Sequence, residues 1–278
     1  MELNEYLSAA QQRRAKRRRS LRLVFFAVIA VVLIAVVVWL IAWSPVTRMN
    51  GIAVRGATTA TNDEVTAVAN AAFTQSHGLW KFLGTKNMLA WPSSVPPETL
   101  TLEPRLQTAT LSKSYTTHTI TVSVTERAPV AIWCVIPGGA ADALSGGLFD
   151  ESCSWFDATG ILFMPTFDTE GAMLFAVHDY SDTKLDLGEK ILPDRFIANM
   201  FSIFDVLRAS GLSIKEVRLN DLSLEEIQVT TYNGPDIRFS LRFSADGTLT
   251  ALQSFMGKPG FNKLKYVDFR TQNRAYYE

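Results

Sequence analysis

Residues 23–43 read LVFFAVIAVVLIAVVVWLIAW, a run of 21 positions without a charge, and no other feature restricts the fold of this chain as severely. Coiled at about 1.5 Å per residue, such a run matches a bilayer hydrocarbon core of about 30 Å. Its valines and isoleucines are mediocre helix formers in water. Lipid offers no partner for a bare N–H or C=O, so a helix is the single-segment solution there. Trp39 and Trp43 fall at its far end, where indoles suit the interfacial belt. A cleaved secretory signal is the competing reading, because Ala42-Trp43-Ser44 has small-x-small spacing. The apolar core of a signal is about 7 to 15 residues, however, and Pro45 directly after the cut would hinder a peptidase. The run is expected to stay in place as a transmembrane helix over 23–43.

The 27 basic and 27 acidic residues cancel overall but not locally. The first 43 residues hold seven basic side chains, Arg13 to Arg22, against Glu2 and Glu5, so the remainder is net acidic. The positive-inside bias then places residue 1 in the cytoplasm and residue 44 outside. Residues 1–22, a block of like charge with few apolar side chains, are expected to form a disordered or induced-helical basic tail. Nucleic acid could attract such charges, but anionic lipid headgroups beside a span account for them without a further ligand, so no nucleic-acid partner is expected.

Beyond the span, Thr47 to Val124 carries a β-α-α-β-β pattern. A short strand at Ile52-Ala53-Val54 ends at Gly56, and Asn62-Asp63-Glu64 caps a helix running through Phe73 with Val65, Val68, Ala69 and Ala72 at helical spacing. Leu79 to Trp91 reads as a second helix or helical turn interrupted by Gly84, and the four prolines of Pro92 to Pro104 make a loop. Strands follow near Leu106 to Ser112 and Thr117 to Thr125, the latter with Ile120, Val122 and Val124 alternating against polar neighbours. Past Pro129 come strands at 130–135, 154–156, 161–164 and 174–177. An amphipathic helix, Asp194 to Ser210, is stopped by Gly211. Strands at 214–219, 227–232, 237–243 and 265–270 complete the chain, with a short helix at Leu249 to Met256.

The stretch Thr119 to Trp133, TITVSVTERAPVAIW, resembles the signature joining the two outer domains of FtsQ/DivIB-type bacterial cell-division proteins. Tyr266-Val267-Asp268-Phe269-Arg270 with Asn273-Arg274 after it is similar to that family's terminal strand, and Asp157-Ala158-Thr159-Gly160 to its D-x-x-G turn. Thr116 departs from the pattern, standing where proline is common, and Ile136 to Ser152 is longer than a hairpin needs. The resemblance implies an α+β chain: a basic tail over 1–22, one transmembrane helix, a POTRA domain over 47–126, and a mostly antiparallel β-domain with a packed helix over 127–278. It also implies a divisome scaffold at the septum of the bacterial inner membrane, not an enzyme. The family binds FtsB/DivIC-like and FtsL-like partners outside the membrane, engages other divisome proteins through its POTRA domain, and helps control septal peptidoglycan synthesis. A different membrane-anchored POTRA factor for secretion or envelope assembly is the alternative.

Physical reasoning points to the same end of the chain. A terminal strand with nothing after it would leave a free row of N–H and C=O groups as a template for a partner strand. The expected partner-binding residues are Tyr266, Val267, Asp268, Phe269, Arg270 and Tyr276, with Tyr277 as a further aromatic anchor; Val267 and Phe269 could equally face the core.

No catalytic, cofactor or metal site is expected. Ser181-Asp182-Thr183-Lys184 fits S-x-x-K without the K-T-G or S-D-N that accompany it, and Asp179, Asp182 and Asp186 lack EF-hand spacing. His77, His118 and His178 are scattered without ligand spacing. Cys134 and Cys153, the two cysteines, bracket a Gly- and Ala-rich loop, and either a disulfide or a pair of buried free thiols fits them.

Overall fold

The computed structural model describes residues 23–40, 42–76, 81–136, 152–168, 174–181 and 183–278. The basic tail, Leu79 and Trp80 of the expected second helix, Asp182, and most of the long 136–152 connection lie outside them. The chain divides into two compact units. One comprises 1–55, 69–95 and 110–123; the other comprises 56–68, 96–109 and 124–278.

In the first unit the apolar run forms helix α1, Leu23–Leu40, 18 residues with none of its apolar window buried, long and apolar enough to cross a membrane. Strand β1 (Gly51–Arg55) pairs in parallel with β3 (Thr119–Glu126), aligning Gly51 with Thr119 and Val54 with Val122, and β2 (Leu106–Ser114) completes a sheet of order β1-β3-β2; residues 106–109 of β2 and 124–126 of β3 belong to the second unit. The period of two read in β3 is realised: Ile120, Val122 and Val124 are buried between partly exposed neighbours. Helix α2 (Asn62–Gln75) buries Val65, Val68, Ala69, Ala72 and Phe73, and the Phe73 ring meets Trp91 at 5.2 Å. The second helix contracts to two single 3-10 turns, Lys81–Leu83 and Met88–Ala90. Gly84 between them adopts φ +79°, which no continuing helix allows.

The second unit contains a nine-stranded sheet of order β12-β11-β10-β9-β8-β7-β4-β5-β6. Its strands are β4 (Ala131–Val135), β5 (Ser152–Phe156), β6 (Leu162–Thr166), β7 (Ala176–Asp179), β8 (Ile214–Leu219), β9 (Glu226–Thr231), β10 (Asp236–Ser240), β11 (Tyr266–Phe269) and β12 (Tyr276–Tyr277). Antiparallel pairs outnumber parallel ones, but β4 with β7, β7 with β8, and β10 with β11 run parallel. Parallel neighbours need a crossover, and for two of the three pairs a helix supplies it: α3 (Asp194–Ser210) connects β7 to β8, and α4 (Leu249–Met256) connects β10 to β11, whereas β4 reaches β7 by way of β5 and β6. Each is amphipathic and buries its apolar stripe in one core with the sheet. Phe196, Met200, Ile203, Phe204 and Leu207 of α3 and Leu252 and Phe255 of α4 join Trp133, Val177, Val217, Val229, Phe239 and Phe269. Phe204 stacks on Phe175 at 4.8 Å, and Gly211 ends α3 at φ +70°, a conformation favourable to glycine.

Candidate strand-addition edge

The end of the chain does not lie as its sequence suggested. Strand β11 was expected to be uncovered, but the turn after it folds the last residues back against its outer side. Val267 faces Tyr277 and Asp268 faces Tyr276, Lys265 N–H donates to Glu278 O at 2.6 Å, and Glu278 N–H donates to Tyr266 O at 3.3 Å. The reversal depends on Asn273, at φ +59°, because Asn tolerates the left-handed region better than other side chains with a Cβ.

The outermost strand is therefore β12, two residues long. In an antiparallel ladder, hydrogen-bonded and non-bonded pairs alternate. With Glu278 bonded back to Tyr266, the Val267–Tyr277 pair is of the non-bonded kind, so Tyr277 turns its own N–H and C=O away from β11. The opposite edge of the sheet is guarded at two positions among the described residues. Leu162 of β6 exchanges backbone bonds with the 188–190 segment, and Pro165 removes a donor from the same strand.

The residues singled out from sequence divide by face. Val267 and Phe269 are buried, with the Phe269 ring stacked on Phe239 at 5.7 Å, so their side chains belong to the core. Tyr266, Asp268 and Arg270 line the other face. The Arg238 guanidinium lies 4.8 Å from the Tyr266 ring centroid, and Arg270 bridges Asp268 at 2.6 Å and Glu226 at 2.5 Å. Burial raises the Asp268 pKa, but the Arg270 hydrogen bonds outweigh it and hold the carboxyl below its ordinary value. Asp268 and Glu226 in turn raise the Arg270 pKa, so the Asp268–Arg270 pair stays charged. Tyr276 and Tyr277 are 50% and 58% exposed, which leaves area for a partner to cover. One edge of Tyr277 is held: Phe255 meets it at 5.1 Å and Lys258 Nζ lies 5.6 Å from its centroid. Phe255, Lys258, Glu226 and Arg238 were not foreseen as parts of this site, since their places depend on which strands become neighbours. Beneath the 271–275 turn is a cleft of about 440 Å³ lined by Phe243, Thr248, Ala251, Phe269, Asn273 and Arg274, large enough for a side chain of an added strand.

Cys134 and Cys153, facing each other across β4 and β5, are joined in a disulfide. His178, opposite Cys134 on β7, lies 3.2 Å from Asp168 through Nε2, and Cys134 Sγ is 3.8 Å from the same carboxylate. These three ligand atoms fall within 4.8 Å of one another, a cluster that sequence spacing did not reveal. A sulfur in a disulfide is no thiolate, so in the oxidised protein this trio is left with two metal ligands, Asp168 and His178.

No protein-family model matches the chain, and a search of curated proteins returns no match.

Proposed function

We propose that this chain is a membrane-anchored scaffold of the FtsQ/DivIB type, with its N-terminus in the cytoplasm and its folded units outside. It acts by binding and carries no catalytic centre. On this reading it sits at the division septum, takes a strand from an FtsB/DivIC-like protein at its C-terminal edge, engages an FtsL-like protein in the same assembly, and so helps control septal peptidoglycan synthesis. Its POTRA-like first part would receive other division proteins. The observation that carries the proposal is the one unguarded edge of the larger sheet among the described residues. At β12 the Tyr277 backbone faces outward beside two half-exposed tyrosines, while the β6 edge carries Pro165 and is bonded to the 188–189 segment at Leu162. Support also comes from α1 and from the sequence motifs at 119–133 and 266–274.

Tyr277→Pro tests it. Proline deletes the one outward N–H and leaves the Glu278–Tyr266 and Lys265–Glu278 bonds unaltered, so the fold should survive while capture of an FtsB/DivIC-like partner falls at least tenfold in co-purification. Undiminished capture by Tyr277→Pro refutes strand addition at this edge. A uniform envelope signal from a fluorescently tagged copy, in place of a midcell ring, favours the secretion or envelope-assembly reading.

A further inference from the structure

The apolar helix is firmly tied to the folded chain on its C-terminal side. Asn87 Nδ2 donates to Ala42 O at 2.6 Å and to Thr47 Oγ1 at 3.3 Å, and Asn87 Oδ1 accepts from Leu89 N–H. Met49 N–H donates to Lys86 O at 2.8 Å, and Arg48 bridges Asn87 in antiparallel fashion. Ala42, Thr47 and Asn87 are all buried. The loop 84–87 is thereby fastened to the point where the apolar run ends, and its height relative to a bilayer is set by that of the helix.

At this junction lies a cleft of about 480 Å³ whose lining includes Trp43, Arg48, Phe82, Leu83 and Lys86. Trp39 and Trp43 stack with centroids 6.2 Å apart, and Phe82, on the turn that forms the opposite wall, is 70% exposed. Aromatic rings at that level belong in the boundary between headgroups and acyl chains. Among the described residues, neither Arg48 nor Lys86 has a carboxylate partner. Lys81 instead directs its ammonium to the Thr74 carbonyl near the end of α2. The charge of the whole unit points the same way. Its residues beyond the span, 44–55, 69–95 and 110–123, include Arg48, Arg55, Lys81, Lys86 and Lys113 and not one Asp or Glu, whereas 56–68, 96–109 and 124–278 hold 15 basic against 25 acidic residues.

We propose that the cleft between Trp43 and the 81–87 loop is a headgroup site for an anionic glycerophospholipid of the leaflet where α1 ends, with Arg48 and Lys86 on the phosphate and Phe82 and Trp43 among the upper acyl carbons. This rests on the reading of α1 as a membrane anchor. A cationic, aromatic-rimmed cleft held at bilayer level meets the phosphate where it already is, so little ordering cost remains. The bound lipid holds the first unit against the membrane surface.

The full chain carrying Phe82→p-benzoylphenylalanine, reconstituted in nanodiscs of equal parts phosphatidylglycerol and phosphatidylcholine and irradiated, reads out the site. Adducts located at residue 82 by tandem mass spectrometry are expected to favour phosphatidylglycerol, by about fivefold for each contributing cation. Arg48→Gln with Lys86→Gln should bring the ratio to parity with the phosphatidylcholine adduct retained. The exchange Arg48→Lys with Lys86→Arg should keep the preference. Equal labelling of the two lipids in the parent protein, or a preference unchanged in the double glutamine variant, overturns the site. Absence of any lipid adduct does so as well. Alkaline carbonate washing of cell membranes separates this failure from that of the anchor: release of the chain overturns both readings, and retention without headgroup preference overturns only this one.

Discussion

Glu126→Gln should weaken the protein in a way that depends on pH. Glu126, at the end of β3, is a clamp within the second unit. Its carboxylate accepts from Thr58 N–H at 2.7 Å, Thr59 N–H at 2.9 Å and Ala60 N–H at 2.9 Å, and from the Thr58 and Thr59 hydroxyls at 2.5 and 2.8 Å. Partial burial pushes its pKa up, but the Ala60 and Thr58 backbone donors and the threonine hydroxyls outweigh burial and draw it from 4.5 to about 2. Taken at face value, that shift corresponds to roughly 3.4 kcal/mol at about 1.36 kcal/mol per pKa unit. Water reaches part of the carboxylate, so about half, roughly 1.5 to 2 kcal/mol, is the realistic contribution. A folded-state pKa below the unfolded one stabilises fully above 4.5, and the stabilisation is lost as pH falls through about 2. Glutamine keeps one acceptor, turns an amide toward the donors, and has no charge at any pH. In urea unfolding of the detergent-solubilised chain monitored by tryptophan fluorescence, the variant's midpoint should fall by about 0.6 M at pH 7, taking a slope near 3 kcal/mol per M. About two-fifths of that deficit should remain at pH 3, from the same pKa pair. An unchanged midpoint at pH 7, or one deficit at both pH values, refutes the clamp.

Two further measurements test the second unit. Arg127 Nη1 meets Asp157 Oδ2 at 2.6 Å, its Nε donates to Pro104 O, and Asp157, 3% exposed, also accepts from Thr159 and Ile161. Either Arg127→Ala or Asp157→Ala should cost about 3 to 5 kcal/mol by stranding its partner, and the double variant should cost clearly less than the sum; simple additivity would show that the two are not coupled. Cys134→Ser with Cys153→Ser, opening a 19-residue separation, should lower stability by about 3 kcal/mol in the chain-entropy model and remove the mobility difference between reduced and non-reduced gels; no such difference in the parent protein would refute the disulfide.

Local pattern was enough wherever a single segment's burial requirement sets its structure. The apolar run at 23–40, the stripe of α3 with its Gly211 stop, the short helix 249–256 and the alternation of β3 are all of this kind, and all were legible in the amino-acid order. Which segments become neighbours is settled only in the folded chain. Periodicity states that a strand has a buried face, but it says nothing of who pairs with its edge, because pairing depends on loop closure and on the packing of distant elements. Hence the parallel pairs made by the two crossover helices, the Arg127–Asp157 bond across 30 residues and the approach of His178 to Asp168 were not legible in advance. The candidate site shows the same limit. Tyr266 to Arg270 could be read as a terminal strand, yet only the left-handed turn at Asn273 moved the open edge outward to Tyr277. The cleft beside Trp43 is likewise a product of folding, since its two cations come from segments 38 residues apart that the Asn87–Ala42 bond brings together.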